Sequence, residues 1–246
     1  MKGPVLILGA TSAIARKTAF AFAARGCSLY LAARDEEELA RISKDIFIRY
    51  GVSVRHAGFE IDDIDGHKSF FTSIVNETGN LSGVLFAIGE LGNHDLATRD
   101  FNEAGKIIHR NLTGAISILS LCADHLAQSG QGFIIGIGSV AGDRGRQSNF
   151  LYGAAKGGFS LYLQGLRSHL HPTGVRVITI KPGVVDTAMT YGMKGLFLVA
   201  SPDYVGNRIV KALDKSTDIL YIPWFWRYIM LIIRSIPEPL FKRLKL

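Results

Sequence analysis

Apolar runs of strand length alternate with amphipathic segments of helix length along most of the chain. The pattern predicts strands beginning at Val5, Ser28, Val52, Val84, Phe133, Val175 and Ile219. Between them it predicts helices over Ala13–Ala24, Glu36–Arg49, His67–Asn76, Lys106–Gln128, Tyr152–His169 and Pro202–Lys215. Ser201-Pro202 reads as an N-cap followed by a proline at the first helical position. The strand runs are continuous, as in Phe133-Ile134-Ile135 and Val175 to Ile180, which is the pattern of strands buried on both faces. Strict alternation of strand and helix gives an α/β fold, a doubly wound parallel sheet with helices on both faces. Ligands of such sheets sit beyond the carboxyl ends of the strands. The segments of interest are therefore Gly9 to Ala15, Ala33-Arg34, Asp62-Asp63, Ala87 to Gly89, Gly138-Ser139 and Pro182 to Thr187.

Composition fits one domain with one large core: 246 residues, 48% hydrophobic and 20% charged, with no linker, repeat or low-complexity run. Residues 1–222 form the main body, and 223–246 form an apolar and basic C-terminal segment of the same domain. The two cysteines, Cys27 and Cys122, lie in apolar stretches without metal spacing, which suits free thiols in a reducing compartment. After Met1-Lys2-Gly3-Pro4 the apolar run is too short for a signal-peptide core, so the expectation is a cytoplasmic protein. The net charge is +7, but the basic residues are scattered and not interleaved with exposed aromatics, which argues against nucleic acid as a partner. The seven histidines show no metal pattern, and no Ser/His/Asp hydrolase arrangement appears.

Leu8 to Ala15, "LGATSAIA", follows the first strand and opens the first helix. Helix N-termini favour anions through free N–H groups and the helix dipole. Gly9 supplies the tight turn, while Ala13 and Ala15 stand where a phosphate-binding loop carries two further glycines. One methyl at each place is sterically tolerable, and Thr11 and Ser12 add hydroxyls that bond phosphate or cap the helix. Alone, this stretch serves equally well as a plain helix start.

Farther on, "GSVAGDRGRQSNFLYGAAKGG" places Tyr152 and Lys156 four apart at a predicted helix start, on one face. A phenol titrates near 10, too high for ready proton exchange at neutral pH. A neighbouring ammonium is expected to lower that value. Ser139, at a strand end, offers a hydroxyl to a substrate oxygen.

These elements, in this order, resemble the short-chain dehydrogenase/reductase family over nearly the whole chain. The resemblance implies a Rossmann-like, dinucleotide-binding and catalytic domain over 1–222. Gly9, Thr11, Ser12, Ala13 and Ile14 match the glycine-rich loop in altered form, and Asp62, beside Asp63, stands where the family places an acidic residue near the adenine. Asn111 in "HRNLTGA" matches the structural and catalytic asparagine, and Ser139, Tyr152 and Lys156 match the catalytic set. Pro182, Gly183, Val185 and Thr187 match the Pro-Gly-x-x-x-Thr segment that holds the nicotinamide carboxamide. The family's Asn-Asn-Ala-Gly reads Phe86-Ala87-Ile88-Gly89, so only the small Ala87 and Gly89 agree. The implied chemistry is hydride transfer between nicotinamide and a carbonyl or alcohol carbon, with Tyr152 as general acid or base. Lys156 would lower the Tyr152 pKa and bond the nicotinamide ribose. Ser139 would orient the substrate oxygen, and Asn111 would support a relay water. The resemblance also implies a homo-oligomer built on the Lys106–Gln128 and Tyr152–His169 helices.

An acidic residue at the end of the second strand selects NAD, and a nearby arginine accommodates the 2′-phosphate of NADP. "LYLAARDEEEL" has Ala33 at that place and Arg34 next, which favours NADP(H) over NAD(H), unless Arg34 only caps the strand and Asp35 holds the ribose. Tyr221 to Leu246 is aromatic and apolar, with Arg227, Arg234, Lys242, Arg243 and Lys245. Its run from Trp224 to Ile236 is too short to span a bilayer. It suits either a membrane surface or a lid or dimer-interface helix. This tail and "GDRGRQSNFLYGAAK" more loosely resemble the decaprenylphosphoryl 2-keto-pentose reductases, which implies a lipid-linked keto-sugar as substrate. Arg144 and Arg146 would then contact a lipid phosphate, or be solvated loop charges. Other readings are a dehydrogenase of a soluble carbonyl or alcohol, a cofactor-sensing module without catalysis, and a peripheral membrane scaffold.

Overall fold

A computed structural model describes residues 3–193 and 195–244; Met1, Lys2, Lys245 and Leu246, named above, lie outside the described residues. Among the described residues, seven strands form a single sheet: β1 (Val5–Leu8), β2 (Leu29–Ala33), β3 (Val54–Gly58), β4 (Gly83–Phe86), β5 (Phe133–Ile137), β6 (Arg176–Pro182) and β7 (Ile219–Ile222). Their order is β3-β2-β1-β4-β5-β6-β7, and every neighbouring pair is parallel. In the central strand Leu6 lies between Tyr30 and Val84. The strand order reverses between β1 and β4, where a crevice opens at the carboxyl edge.

The helices are α1 (Ala13–Ala23), α2 (Glu36–Tyr50), α3 (His67–Thr78), α4 (His94–Ala97), α5 (Phe101–Ile108), α6 (Gly114–Ser129), α7 (Phe150–Leu170), α8 (Pro202–Ala212), α9 (Trp226–Ser235) and α10 (Glu238–Phe241). Along β1, Val5 and Ile7 point to one face, where Phe22, Leu39, Val205 and Ile209 cover them from α1, α2 and α8. Leu6 and Leu8 point to the other, under Ile74, Ile118, Phe159 and Leu163 from α3, α6 and α7. Burial on both faces is why these strands are apolar at every position. Each such side chain contributes about 1.5–3 kcal/mol relative to exposure.

Caps fix the helix starts as the sequence suggests. Ser201 Oγ accepts from Tyr204 N at 3.2 Å ahead of Pro202, and Asp35 Oδ1 accepts from Glu38 N at 2.9 Å. The expected helix Lys106–Gln128 is broken, however. α5 ends at Ile108, one π-helical turn spans His109–Thr113, and α6 begins at Gly114. The cause is Asn111, whose Nδ2 donates to Ile107 O at 2.9 Å, the carbonyl that its own N–H would take in a regular helix.

After β7, a cis Ile222–Pro223 bond leads into α9. Trp226 and Met230 of α9 are buried against Val140, so the tail packs beside the turn that follows β5. Among the described residues, no helix is long and apolar enough to cross a membrane.

Candidate active site

A cleft of about 1060 Å³ runs over the carboxyl ends of β1, β4, β5 and β6. It brings together Thr11, Ser12, Ala13, Ile14, Ala87, Gly89, Ser139, Tyr152, Lys156, Pro182, Gly183, Val185 and Thr187. A hollow of about 380 Å³ shares Thr11, Ser12, Ala87 and Gly89 with it and adds Gly9, Arg34, Asp35, Glu60, Ile61, Glu90 and Arg110. The two form one groove, with Tyr152 in one part and Arg34 in the other.

The first turn needs its single glycine. Gly9 has φ +82°, and a Cβ there would lie 2.9 Å from Ile88 Cγ1. Ser12 caps α1, accepting from Ala15 N at 3.4 Å. Ala15 is fully buried in the core, where its methyl packs rather than obstructs, and Ala13 lines the cleft. The loop thus keeps an exposed helix N-terminus facing the groove.

At the other end, Ser139 leaves β5 with an extended backbone, and its Oγ accepts from Ala141 N at 3.1 Å. It also hydrogen-bonds the Tyr152 hydroxyl. The turn Val140–Asp143 is anchored from below. Asp143, almost wholly buried, pairs with Lys181 of β6 and accepts from the Tyr221 hydroxyl of β7 at 2.7 Å. Lys156, on α7 one turn after Tyr152, donates to Ile137 O at 3.1 Å. Its Nζ lies 5.9 Å from the Tyr152 ring centre.

One expectation changes here. Burial pushes the Tyr152 phenol up to about 12, with only the Ser139 hydrogen bond opposing it, and burial lowers Lys156 to about 8. The expected lowering of Tyr152 by Lys156 is absent because desolvation dominates and the amine faces the Ile137 carbonyl. Asn111 is fully buried, and its Nδ2 donates to Glu90 O at 2.7 Å as well as to Ile107 O. Its Oδ1 accepts from Glu90 N at 3.2 Å. Both amide hydrogens of the side chain are taken by main-chain carbonyls. Asn111 clamps the loop after β4. Gly89 in that loop has a tight fit: a Cβ would fall 2.8 Å from Lys156 Nζ and 3.0 Å from Asn111 Oδ1.

The acidic pair after β3 does not reach the groove. Asp62 receives a double hydrogen bond from Arg110, at 2.9 Å from Nε and 2.6 Å from Nη2, which holds its carboxyl below the usual range. Arg110 also bonds Glu90. Asp63 Oδ1 accepts from Gly66 N in a local turn. The residues facing the groove are the two before them, Glu60 and Ile61, turned inward as Glu60 Oε1 accepts from Asp62 N at 3.1 Å. Arg110 and Glu90 also line the groove without having been singled out in the sequence; the only hint is that Arg110 precedes Asn111. Arg34 is exposed at the groove and makes no salt bridge among the described residues.

Arg144 and Arg146 are neither solvated nor presented to a ligand. Arg144 donates to the carbonyls of Ile233, Arg234 and Ile236 at 2.7–2.9 Å, pairs with Glu238, and stacks on Phe241 at 3.8 Å. It is the C-terminal clamp of α9. Arg146 packs on Met230, 3.3 Å from Sδ, and its buried Nε has no hydrogen-bond partner among the described residues.

A groove with a free arginine in one part, a helix N-terminus along it and a Ser-Tyr-Lys set in another suits an extended anionic cofactor. Comparisons with known proteins agree. The family model described as short chain dehydrogenase matches residues 4–194. An uncharacterized oxidoreductase of Mycobacterium tuberculosis is 32% identical over 241 residues, 98% of this chain and 96% of that protein. Another, from Streptomyces coelicolor, is 32% identical over 242 residues, covering 98% and 95%. Among solved structures, a short-chain dehydrogenase from Sphingobium yanoikuyae in complex with NADPH superposes with a TM-score of 0.80 at 23% identity, covering 96% and 97% of the chains. An NAD+-bound xylitol dehydrogenase gives 0.79 at 19% identity, covering 89% and 96%. With the family match spanning every strand from β1 to β6 and relatives aligned over nearly the full length, the chain belongs to the short-chain dehydrogenase/reductase family of nicotinamide-dependent oxidoreductases.

Proposed function

We infer that the protein is an NADP(H)-dependent reductase that delivers hydride to the carbonyl of a substrate bearing a long apolar chain, a lipid-linked keto-sugar. The observation that carries the reaction class is the Ser139–Tyr152–Lys156 grouping in one cleft. Nicotinamide, when bound, supplies the hydride. Tyr152, with its pKa pushed up to about 12, holds its proton at neutral pH and gives it to the carbonyl oxygen. Ser139 Oγ directs that oxygen toward the phenol. Lys156, in the same cleft, would bond the nicotinamide ribose and so seat the cofactor beside the phenol. Asn111 and Gly89 keep the β4 loop clear of Lys156.

The preference for NADP(H) rests on Arg34. It is exposed at the groove beside Thr11 and Ser12, whereas Asp35, the rival ribose ligand, already caps α2. Guanidinium groups match phosphate oxygens in geometry and charge. The apolar substrate reading rests on the cleft rim, where Met189 is followed by the exposed side chains of Tyr191, Met193, Leu196, Phe197, Leu198 and Val199.

The test is NADPH oxidation, with NADH as control, on oxidised polyprenyl-phospho-pentose in detergent micelles, with Tyr152→Phe as blank. NADPH-specific turnover absent from the blank is expected. Turnover on short soluble ketones alone would remove the lipid-linked substrate. Bound NADPH with no turnover on either would leave a cofactor-sensing module.

A further inference from the structure

We propose that α9 and the segment between β6 and α8 together form a docking face for an anionic lipid bilayer, placed at the rim of the cleft. Helix α9 buries one apolar side and carries further apolar side chains on its outer side, beside the exposed Arg227 and Arg234. Trp226 and Met230 face inward, while Leu231 is 62% and Ile232 66% exposed. Trp224 and Tyr228, stacked edge to face at 6.0 Å, extend the same outward stripe at helical spacing. A helix with apolar side chains on both sides leaves one side needing a partner.

The tail is only half of this face. Between Thr187 and Ser201 the exposed side chains include Tyr191 (91%) and Phe197 (60%). Phe197 meets Trp226 at 6.1 Å, which joins the two segments. Trp226 in turn packs on Gly183 of the cleft wall, where a Cβ would lie 1.9 Å from its Nε1. The apolar surface therefore begins at the cleft and spreads outward.

Charge selects the occupant. Thr187 to Ser201 contains no acidic residue. From Ile219 onward the sole acid is Glu238, which is bound by Arg144. The exposed bases there are Arg227, Arg234, Lys242 and Arg243, and none forms a salt bridge among the described residues. A self-complementary interface between two copies would bring these unpaired like charges together. An anionic bilayer neutralises them while taking up Trp, Tyr, Leu and Ile at its headgroup level. The proposal extends the reading of a lipid-linked substrate, but vesicle binding is read without turnover, so the two fail separately.

Flotation of the purified full chain with vesicles of phosphatidylglycerol and phosphatidylcholine, against phosphatidylcholine alone, tests it. Binding to the anionic vesicles is expected, weakening about fivefold for each base removed in Arg227→Gln and Arg234→Gln. Leu231→Ser with Ile232→Ser is expected to abolish it, while NADPH binding, followed by fluorescence, confirms the fold. Protein left unbound by both vesicle types would overturn the proposal. So would a soluble dimer, seen by light scattering, that the Leu231→Ser/Ile232→Ser variant splits into monomers, because the face would then lie between copies.

Discussion

The two ends of the groove are held together by different means. Around Tyr152 the side chains are buried and anchored to main-chain atoms: Lys156 on Ile137 O, Asn111 on Glu90 and Ile107, and Ser139 on Ala141 N. Around Arg34 they are half-exposed and held by one another, with Arg110 bridging Asp62 and Glu90 across the loops after β3 and β4. Main-chain anchors in a dry site fix atoms where a proton must move over a short distance. Solvated charge pairs are weaker and adjustable. On the proposed reading, chemistry sits on the rigid end and cofactor selection on the compliant one.

Substitutions should separate these ends by size of effect. Tyr152→Phe is expected to cut turnover about a thousandfold with NADPH affinity unchanged, since it removes a proton donor and nothing that holds the dinucleotide. Stopped-flow turnover and equilibrium fluorescence titration check the two halves, and residual turnover near the parent level would remove Tyr152 as the acid. Next comes the buried ammonium. Lys156 titrates at about 8 in the fold against an ordinary 10.5. Between about pH 8 and 10 the unfolded chain keeps a proton that the folded chain has released, so stability rises with pH across that window. The Cys122 thiol, which burial pushes up from 9.0, and the Tyr152 phenol, raised from 10 to about 12, oppose this above about pH 9 and 10 respectively. The urea-midpoint advantage of the parent over Lys156→Met should grow between pH 7.5 and 10, because the raised thiols and phenols act on both alike; an advantage that stays constant would mean that Lys156 is not buried as an ammonium.

At the compliant end the effects shrink. Arg34→Ala should raise the KM for NADPH about ten- to a hundredfold while leaving that for NADH alone, the loss of a charged hydrogen bond. Equal losses for both cofactors would contradict a 2′-phosphate contact. Arg110→Gln should raise the KM for either cofactor only about two- to fivefold, with kcat steady, because its partners remain solvated. A collapse of kcat there would show that the ion ladder also holds Asn111, and the contrast between the ends would weaken.

What could be read in advance follows the same division. The strands were visible because burial on both faces writes a continuous apolar run, and Tyr152 and Lys156 because helical spacing puts residues four apart on one face. The π turn was not visible, since it depends on one amide competing for the Ile107 carbonyl. Nor was the two-residue offset from Asp62 to Glu60, because a loop carries no period to say which side chain turns inward. Arg144 read as a loose loop charge because its partners lie about ninety positions away and three of them are carbonyls, which have no residue-type signature. The sign of the Tyr152 shift was missed for a different reason: proximity of charge is legible in spacing, but the depth of burial that outweighs it is not.

Asp143 and Arg144 are neighbours that pull in opposite directions, one tied down to β6 and β7 and the other out to the end of α9. The dipeptide makes the loop behind Ser139 and the tail a single inherited unit. A chimera that exchanged the tail alone would strand the Arg144 guanidinium and loosen the serine turn along with it. Trading substrate range between relatives by grafting C-termini requires that the loop from Ser139 to Asn149 travel with the graft.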